Sequence, residues 1–271
     1  MSTSEDEAGL DLDAVFLEPP RPPSPEPTFA TYSRADAQSV QVQNNEYDVW
    51  SHIRIRLVGS HPLWGHYLWN ASRAFASYLD AHPSIYQNGS VLELGAGGGL
   101  PGLVTAKNGA KSVFLTDYPD AALIENLQHN VTHNTDPASE GKVHVEGYIW
   151  GQPLEPIFSK QEETSGERGF DLVIMSDLIF NHSQHDALLK TAASALKPSA
   201  DPSKTPCVLV FYSHHRPHLA HRDMEFFSKA REQGWTCDKI LTEKFPPMFP
   251  EDPGEEEVRA TVHGWRLTLA L

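Results

Sequence analysis

Ser90–Gly102 constrains this chain more than any other stretch. An apolar run, Ser90-Val91-Leu92-Glu93-Leu94, passes directly into Gly95-Ala96-Gly97-Gly98-Gly99, and Pro101 stands where a helix would begin. That order predicts a buried strand, a tight turn and a helix N-terminus. Glycine admits positive φ and lets a ligand approach main-chain amides with no Cβ between them. At the end of a strand in an open parallel sheet, such a turn holds a nucleotide-like cofactor. Phosphate binding is the first reading to test, and the residues argue against it. The dinucleotide fingerprint requires glycine where this chain has Leu100, and no Gly-Lys-Ser/Thr follows to complete a P-loop. Glu93, two residues before Gly95, is expected to bring a carboxylate near the ligand. A carboxylate repels pyrophosphate but suits the sulfonium and ammonium groups of S-adenosylmethionine.

The chain has 271 residues, a hydrophobic share of 39% and a net charge of −15. That length suits one substantial domain. No apolar run approaches the ~18 residues of a membrane span, and the acidic start, Met1 to Asp13, resembles neither a secretory signal nor a transit peptide. Cys207 and Cys237 are too few for a disulfide framework. Cys207 opens an apolar run and is expected to be a buried thiol. A cytoplasmic protein is expected. The charge disfavours nucleic acid, whose phosphates need clustered Lys and Arg, and favours a basic protein or peptide.

Residues 1–28 hold six prolines between Pro19 and Pro27, seven acids and Arg21 as the lone base. Such a leader buries too little apolar surface to offset its ordering entropy and is expected to be disordered. Residues 29–271 form the expected folded domain. A strand is expected within Asp48–Val58 and a helix over Leu63–Ala81. Strands over Ser90–Leu94, Ser112–Thr116, Lys142–Glu146, Phe170–Ser176 and Val208–Ser213 alternate with helices over 102–107, 119–134, 183–196 and 219–233. Thr236–Thr242 and Val262–Leu269 follow as two strands joined by a Pro-rich loop. Alternation implies a parallel sheet, and two strands without a crossover helix imply antiparallel pairing. The expected fold is α/β: a doubly wound, Rossmann-like, mostly parallel seven-stranded sheet with one reversed strand from a C-terminal hairpin.

Asp117 ends the second strand of that series, 22 positions after Gly95. An acid at about that spacing reaches the ribose hydroxyls of an adenosine cofactor. Asp117 also stands just before Pro119, where capping a helix would be its structural role. Trp64 and Trp150 fall at the ends of expected elements, where an adenine or methionine pocket would lie, although a tryptophan is otherwise core. Ser176 ends the fourth strand, where the same ligand crosses the sheet.

These residues carry a resemblance. Val91–Gly99, Asp117, the Gly147–Gly151 loop around Trp150, and Ser176-Asp177-Leu178-Ile179-Phe180 resemble the eukaryotic seven-strand protein methyltransferases, in particular the group that modifies elongation factor 1-alpha. The resemblance covers residues 40–271 and includes Pro62–Trp69. It implies a class I methyltransferase fold and S-adenosylmethionine held by Trp64, Gly95, Ala96, Gly97, Asp117, Trp150 and Ser176. It also implies a protein acceptor, elongation factor 1-alpha, methylated on its N-terminal α-amine and a nearby lysine by a monomeric enzyme. In that group an Asp followed three residues later by Phe or Tyr lies beside the acceptor amine. Those positions are Asp177 and Phe180.

Methyl transfer from a sulfonium requires a neutral nucleophile held about 3 Å from the methyl group. Asp177 can orient an amine and Phe180 can present a π face to a cationic product, whereas the structural alternatives are a helix cap and core packing. Methyltransferases for exocyclic base nitrogens carry Asn/Asp-Pro-Pro-Tyr/Phe after this strand, and Asp177–Phe180 lacks the prolines. His214, His215, His218 and His221 cluster after the fifth strand, where they are expected to form a polar loop at the acceptor mouth, with His214 and His215 nearest, and no metal site. The competing enzyme reading is a small-molecule N-methyltransferase acting on a pyridine such as nicotinamide. A non-catalytic binding module is disfavoured by the intact Gly95, Gly97 and Asp117.

Overall fold

The computed structural model describes residues 25–34, 50–135, 141–198 and 205–269. The expected disordered leader lies outside the described residues as far as residue 24. The first elements are an antiparallel pair, β1 (Thr28–Ser33) and β2 (His52–Leu57). After them come α1 (Asn70–Ala81), β3 (Ser90–Leu94), α2 (Leu100–Lys107), β4 (Ser112–Asp117) and α3 (Ala121–Asn134). The second half holds β5 (Val143–Gly147), α4 (Glu155–Ser165), β6 (Leu172–Ser176), α5 (His185–Ala195), β7 (Cys207–Ser213) and α6 (Ala220–Glu232). It closes with β8 (Trp235–Lys244), α7 (Glu256–Ala260) and β9 (Thr261–Leu269).

The main sheet has seven strands in the order β5-β4-β3-β6-β7-β9-β8. Pairing is parallel from β5 to β7, and β9 lies antiparallel between β7 and β8. The expected reversed strand is therefore β9. Strand alternation divides the core into two layers. Val91, Val113, Ile174 and Leu209 face α1, α2 and the β1–β2 pair, whereas Leu92, Phe114, Val173 and Val208 face α4, α5 and α6. Cys207 is buried, as its place in an apolar strand requires.

Four elements depart from the sequence reading. β1 is not among the expected strands, and its first residue, Thr28, falls inside the expected leader, because the run pairs with β2 as the antiparallel partner of its edge. The expected helix from Leu63 begins at Asn70, because Trp64 takes a left-handed φ of 63° that no helix continues through. α4 occupies a polar stretch for which no element was expected, with Pro156 in its first turn and Gly166 closing it in a left-handed conformation. The hairpin loop between β8 and β9 is not wholly irregular, since α7 lies within it.

An asparagine ladder on α3 ties the β1–β2 pair to the glycine turn. Asn126, Asn130 and Asn134 recur every four residues and so share one helix face. Asn134 and Asn130 each accept from and donate to the backbone of Arg54 and Arg56 respectively, and Asn126 donates to the Arg56 carbonyl. The Asn130 amide also donates to the Gly98 carbonyl at 3.1 Å. A Cβ on Gly98 would stand 2.4 Å from Ile55 Cγ2, so the turn needs glycine there to let β2 close over it.

Candidate active site

The strand order reverses between β3 and β6, which opens a crevice beyond the C-terminal ends of β3, β4 and β6. A cavity of about 590 Å³ occupies it. Trp64, Gly95, Ala96, Gly97, Asp117, Trp150, Ser176, Asp177 and Phe180, which are far apart in sequence, all line this one cavity.

At one end lies the glycine turn. Gly95 and Gly97 have φ of 57° and 55°. A Cβ on Gly95 would strike Leu178 Cδ2 at 2.7 Å, whereas one on Gly97 would meet no atom within 4 Å and would intrude on the open cavity. Asp117 Oδ2 accepts the Gly97 N–H and Oδ1 accepts the Tyr118 N–H, each at 2.7 Å. Asp117 is not a helix cap. That role falls to Asp120, whose side chain accepts the Ala122 N–H at the start of α3. A carboxylate has about four acceptor positions, so each Asp117 oxygen keeps one for a ligand hydroxyl. Burial pushes the Asp117 pKa up, against the pull of its two amide donors. Trp150 stands against the turn, and Trp64, half exposed at 48%, stacks on His66 at the rim. These residues fit an adenosine with a free diol.

Asp177 and Phe180 line the other end. Asp177 takes a φ of 59°, and among the described residues it and Trp64 are two of three non-glycine positions with positive φ. An L-residue held there costs roughly 1–2 kcal/mol. Asp177 is not a helix cap either: the Asp177 N–H donates to the Phe211 carbonyl, Oδ1 accepts the Ser213 N–H at 3.3 Å, and Oδ2 lies 2.8 Å from His215 Nε2. His214 turns away from this mouth to the buried Asp223, which also holds His182, each at 2.7 Å. Tyr67, Trp69 and Phe249 form an aromatic wall in mutual edge contact, and Trp69 also packs edge-on against His215. The sequence reading missed Tyr67, Trp69, Arg216 and the Asp177–His215 pair. The aromatic spacing over residues 61–69 was the one available signal, and helical periodicity masked it.

Glu93 does not face the cavity. It is fully buried beneath α2, where Oε2 accepts the Gly102 N–H at 2.8 Å, and Oε1 has no hydrogen-bond partner among the described residues. Burial pushes its pKa up to about 8, opposed by the Gly102 amide and aided by the charge of Asp117. The carboxyl is therefore not the ligand's counter-charge. Its folded pKa lies above the unfolded value, so its stabilising contribution is full below about pH 4.5 and is lost as pH rises through about 8. Glu93→Gln is expected to flatten that decline, as measured by urea unfolding across the interval. Parallel pH slopes in the two proteins would refute the assignment.

A family model described as lysine methyltransferase matches residues 52–233. The chain belongs to this family. It is 44% identical to the protein N-terminal and lysine N-methyltransferase of Cryptococcus neoformans var. neoformans serotype D, over 98% of this chain and 90% of that relative. It is 45% identical to the protein of the same name from Schizosaccharomyces pombe, over 95% of each. A Pyrococcus horikoshii structure described provisionally as an RNA methyltransferase superposes with a TM-score of 0.52 at 18% identity, covering 78% of this chain and 89% of that one. At that identity the likeness is one of fold. The chain is thus a methyltransferase, and its methyl donor is S-adenosylmethionine.

Proposed function

We propose that this methyltransferase modifies protein amines: the N-terminal α-amine and a nearby lysine of elongation factor 1-alpha. The reading rests on one observation above others. A single cavity runs from the glycine turn and Asp117 to Asp177 and Phe180, so a donor site and an acceptor site share one space. The names of the two relatives, and their nearly full-length match, support a protein amine as acceptor.

When bound, S-adenosylmethionine supplies an electrophilic methyl group on a sulfonium. The chain's own residues do the rest. Gly95, Ala96 and Gly97 offer main-chain contacts without steric bulk. Asp117 accepts two ribose hydroxyls, Trp64 and Trp150 wall the ligand, and Ser176 lies where it crosses the sheet. Asp177 accepts hydrogen bonds from the incoming amine and turns its lone pair toward the methyl group, while Phe180 faces the alkylated cation.

Proton affinity ranks the acceptors. Deprotonating lysine, with a pKa of ~10.4, costs roughly 4.5 kcal/mol at pH 7, and an α-amine of ~7.7–8.0 costs about 1 kcal/mol. An α-amine is thus the easier target, and a lysine depends more on Asp177. Incubating the protein with labelled donor, total protein and total RNA, followed by peptide mass spectrometry, tests the reading. The expected label is on the N-terminal peptide of elongation factor 1-alpha. Label confined to RNA, or to small molecules, would overturn it.

A further inference from the structure

We propose that His215 is a positioning residue for methyl transfer: it holds the Asp177 carboxylate at the acceptor end and, by carrying or losing its own charge, sets whether Asp177 presents a net negative charge to the amine. This rests on the reading that Asp177 faces the acceptor.

Asp177 is weakly held otherwise. Its Oδ1 accepts the Ser213 amide at a long 3.3 Å, whereas Oδ2 meets His215 Nε2 at 2.8 Å. A carboxylate only accepts, so the proton of this bond sits on Nε2 in both charge states of the imidazole. Trp69 fixes the ring from another side, edge to face with centroids 4.7 Å apart. The pair therefore ties the end of β6 to the loop after β7, just beyond the last backbone pairing of the two strands.

The charged groups around His215 are Asp177 from the end of β6, Asp223 from α6 and Arg216 from its own loop. His214 lies next in sequence but points to Asp223. Burial pushes the His215 pKa down, and Arg216 adds to that. The charge and hydrogen bond of Asp177, with Asp223 behind it, more than offset both, so the net shift is upward. Protonated His215 makes a neutral pair with Asp177, and neutral His215 leaves the carboxylate's charge facing the cavity. The transfer rate should then gain a rising limb as His215 loses its proton, separate from deprotonation of the acceptor itself.

The test compares the parent, His215→Ala and His215→Gln, using a peptide with the N-terminal sequence of elongation factor 1-alpha. Rates are followed over about pH 5.5–9, alongside donor affinity by calorimetry and thermal unfolding. His215→Ala should lower kcat roughly 10- to 100-fold, the loss expected when a charge-assisted hydrogen bond is removed, with donor affinity unchanged. His215→Gln keeps an N–H donor without a titrating charge. It should recover most of kcat and lose the inflection that the parent shows above the usual histidine range. A folded His215→Ala protein with parental kcat and pH profile overturns the inference, as does a Gln variant no better than Ala that retains the inflection. If Asp177→Asn itself works at the parental rate, the acceptor reading of Asp177 fails. If Asp177→Asn is slow while His215→Ala is not, only the role of His215 fails.

Discussion

Asp117→Ala is expected to weaken S-adenosylmethionine binding by at least about 2 kcal/mol, about 30-fold in Kd. Two effects act together. The variant loses a charge-assisted contact to a diol, and it releases the Gly97 and Tyr118 amides that the carboxylate holds at 2.7 Å. A freed Gly97 N–H lets the glycine turn relax from its left-handed geometry, so the binding surface is less preorganised. Asp120→Ala is the informative control. It removes the cap of α3, which should cost about 1 kcal/mol of stability and leave donor affinity unchanged. Calorimetric titration of both variants separates the ligand role of Asp117 from helix capping. Equal donor affinity in the parent and Asp117→Ala would remove Asp117 from the cofactor site.

The parts of the fold that could be read from sequence are those whose pattern has one physical explanation. Ser90–Leu94 ends in glycines and carries few polar groups, so it could only be a buried strand running into a turn, and β3 has those bounds. Residues 61–69 admitted two explanations. Leu63, Trp64, Tyr67 and Leu68 have helical spacing, yet they line a cavity in an irregular segment, with Tyr67 against Phe249 from the far end of the chain. Helical periodicity cannot tell a core stripe from a cavity wall. α4 was illegible because it buries only Ile157, Phe158 and Gln161, too thin a stripe to register among its acids. The orientation of Glu93 is legible in strand parity alone. The residue shares that parity with Val91, which packs under the helix layer of α1 and α2, so its side chain points there and not off the strand end toward a ligand. The Asp177–His215 pair joins residues 38 apart, and no local pattern encodes such a contact.

Asp177→Asn should lower lysine methylation on the order of 10²-fold while leaving donor affinity nearly unchanged. The structure simplifies this experiment, because the helix-capping role that would compete with catalysis is absent: neither the short helix after Asn181 nor α5 takes a side-chain cap. What remains structural about Asp177 is its brace to Ser213 and His215. Asparagine keeps an oxygen for the Ser213 amide, and its NH₂ can donate to a neutral His215, which then presents Nε2 as the acceptor. The fold and the strained backbone should therefore survive, and the change reduces to the loss of one negative charge at the cavity wall. That charge matters in proportion to how tightly the amine holds its proton. Deprotonating a lysine costs about 3.5 kcal/mol more than deprotonating an α-amine, so its rate should fall further, and the ratio of N-terminal to lysine methylation should rise in the variant. Peptides bearing one free amine each, followed by mass spectrometry under single-turnover conditions, read that ratio directly. If Asp177→Asn methylates a lysine peptide at the parental rate, Asp177 is only a brace between the end of β6 and the loop after β7.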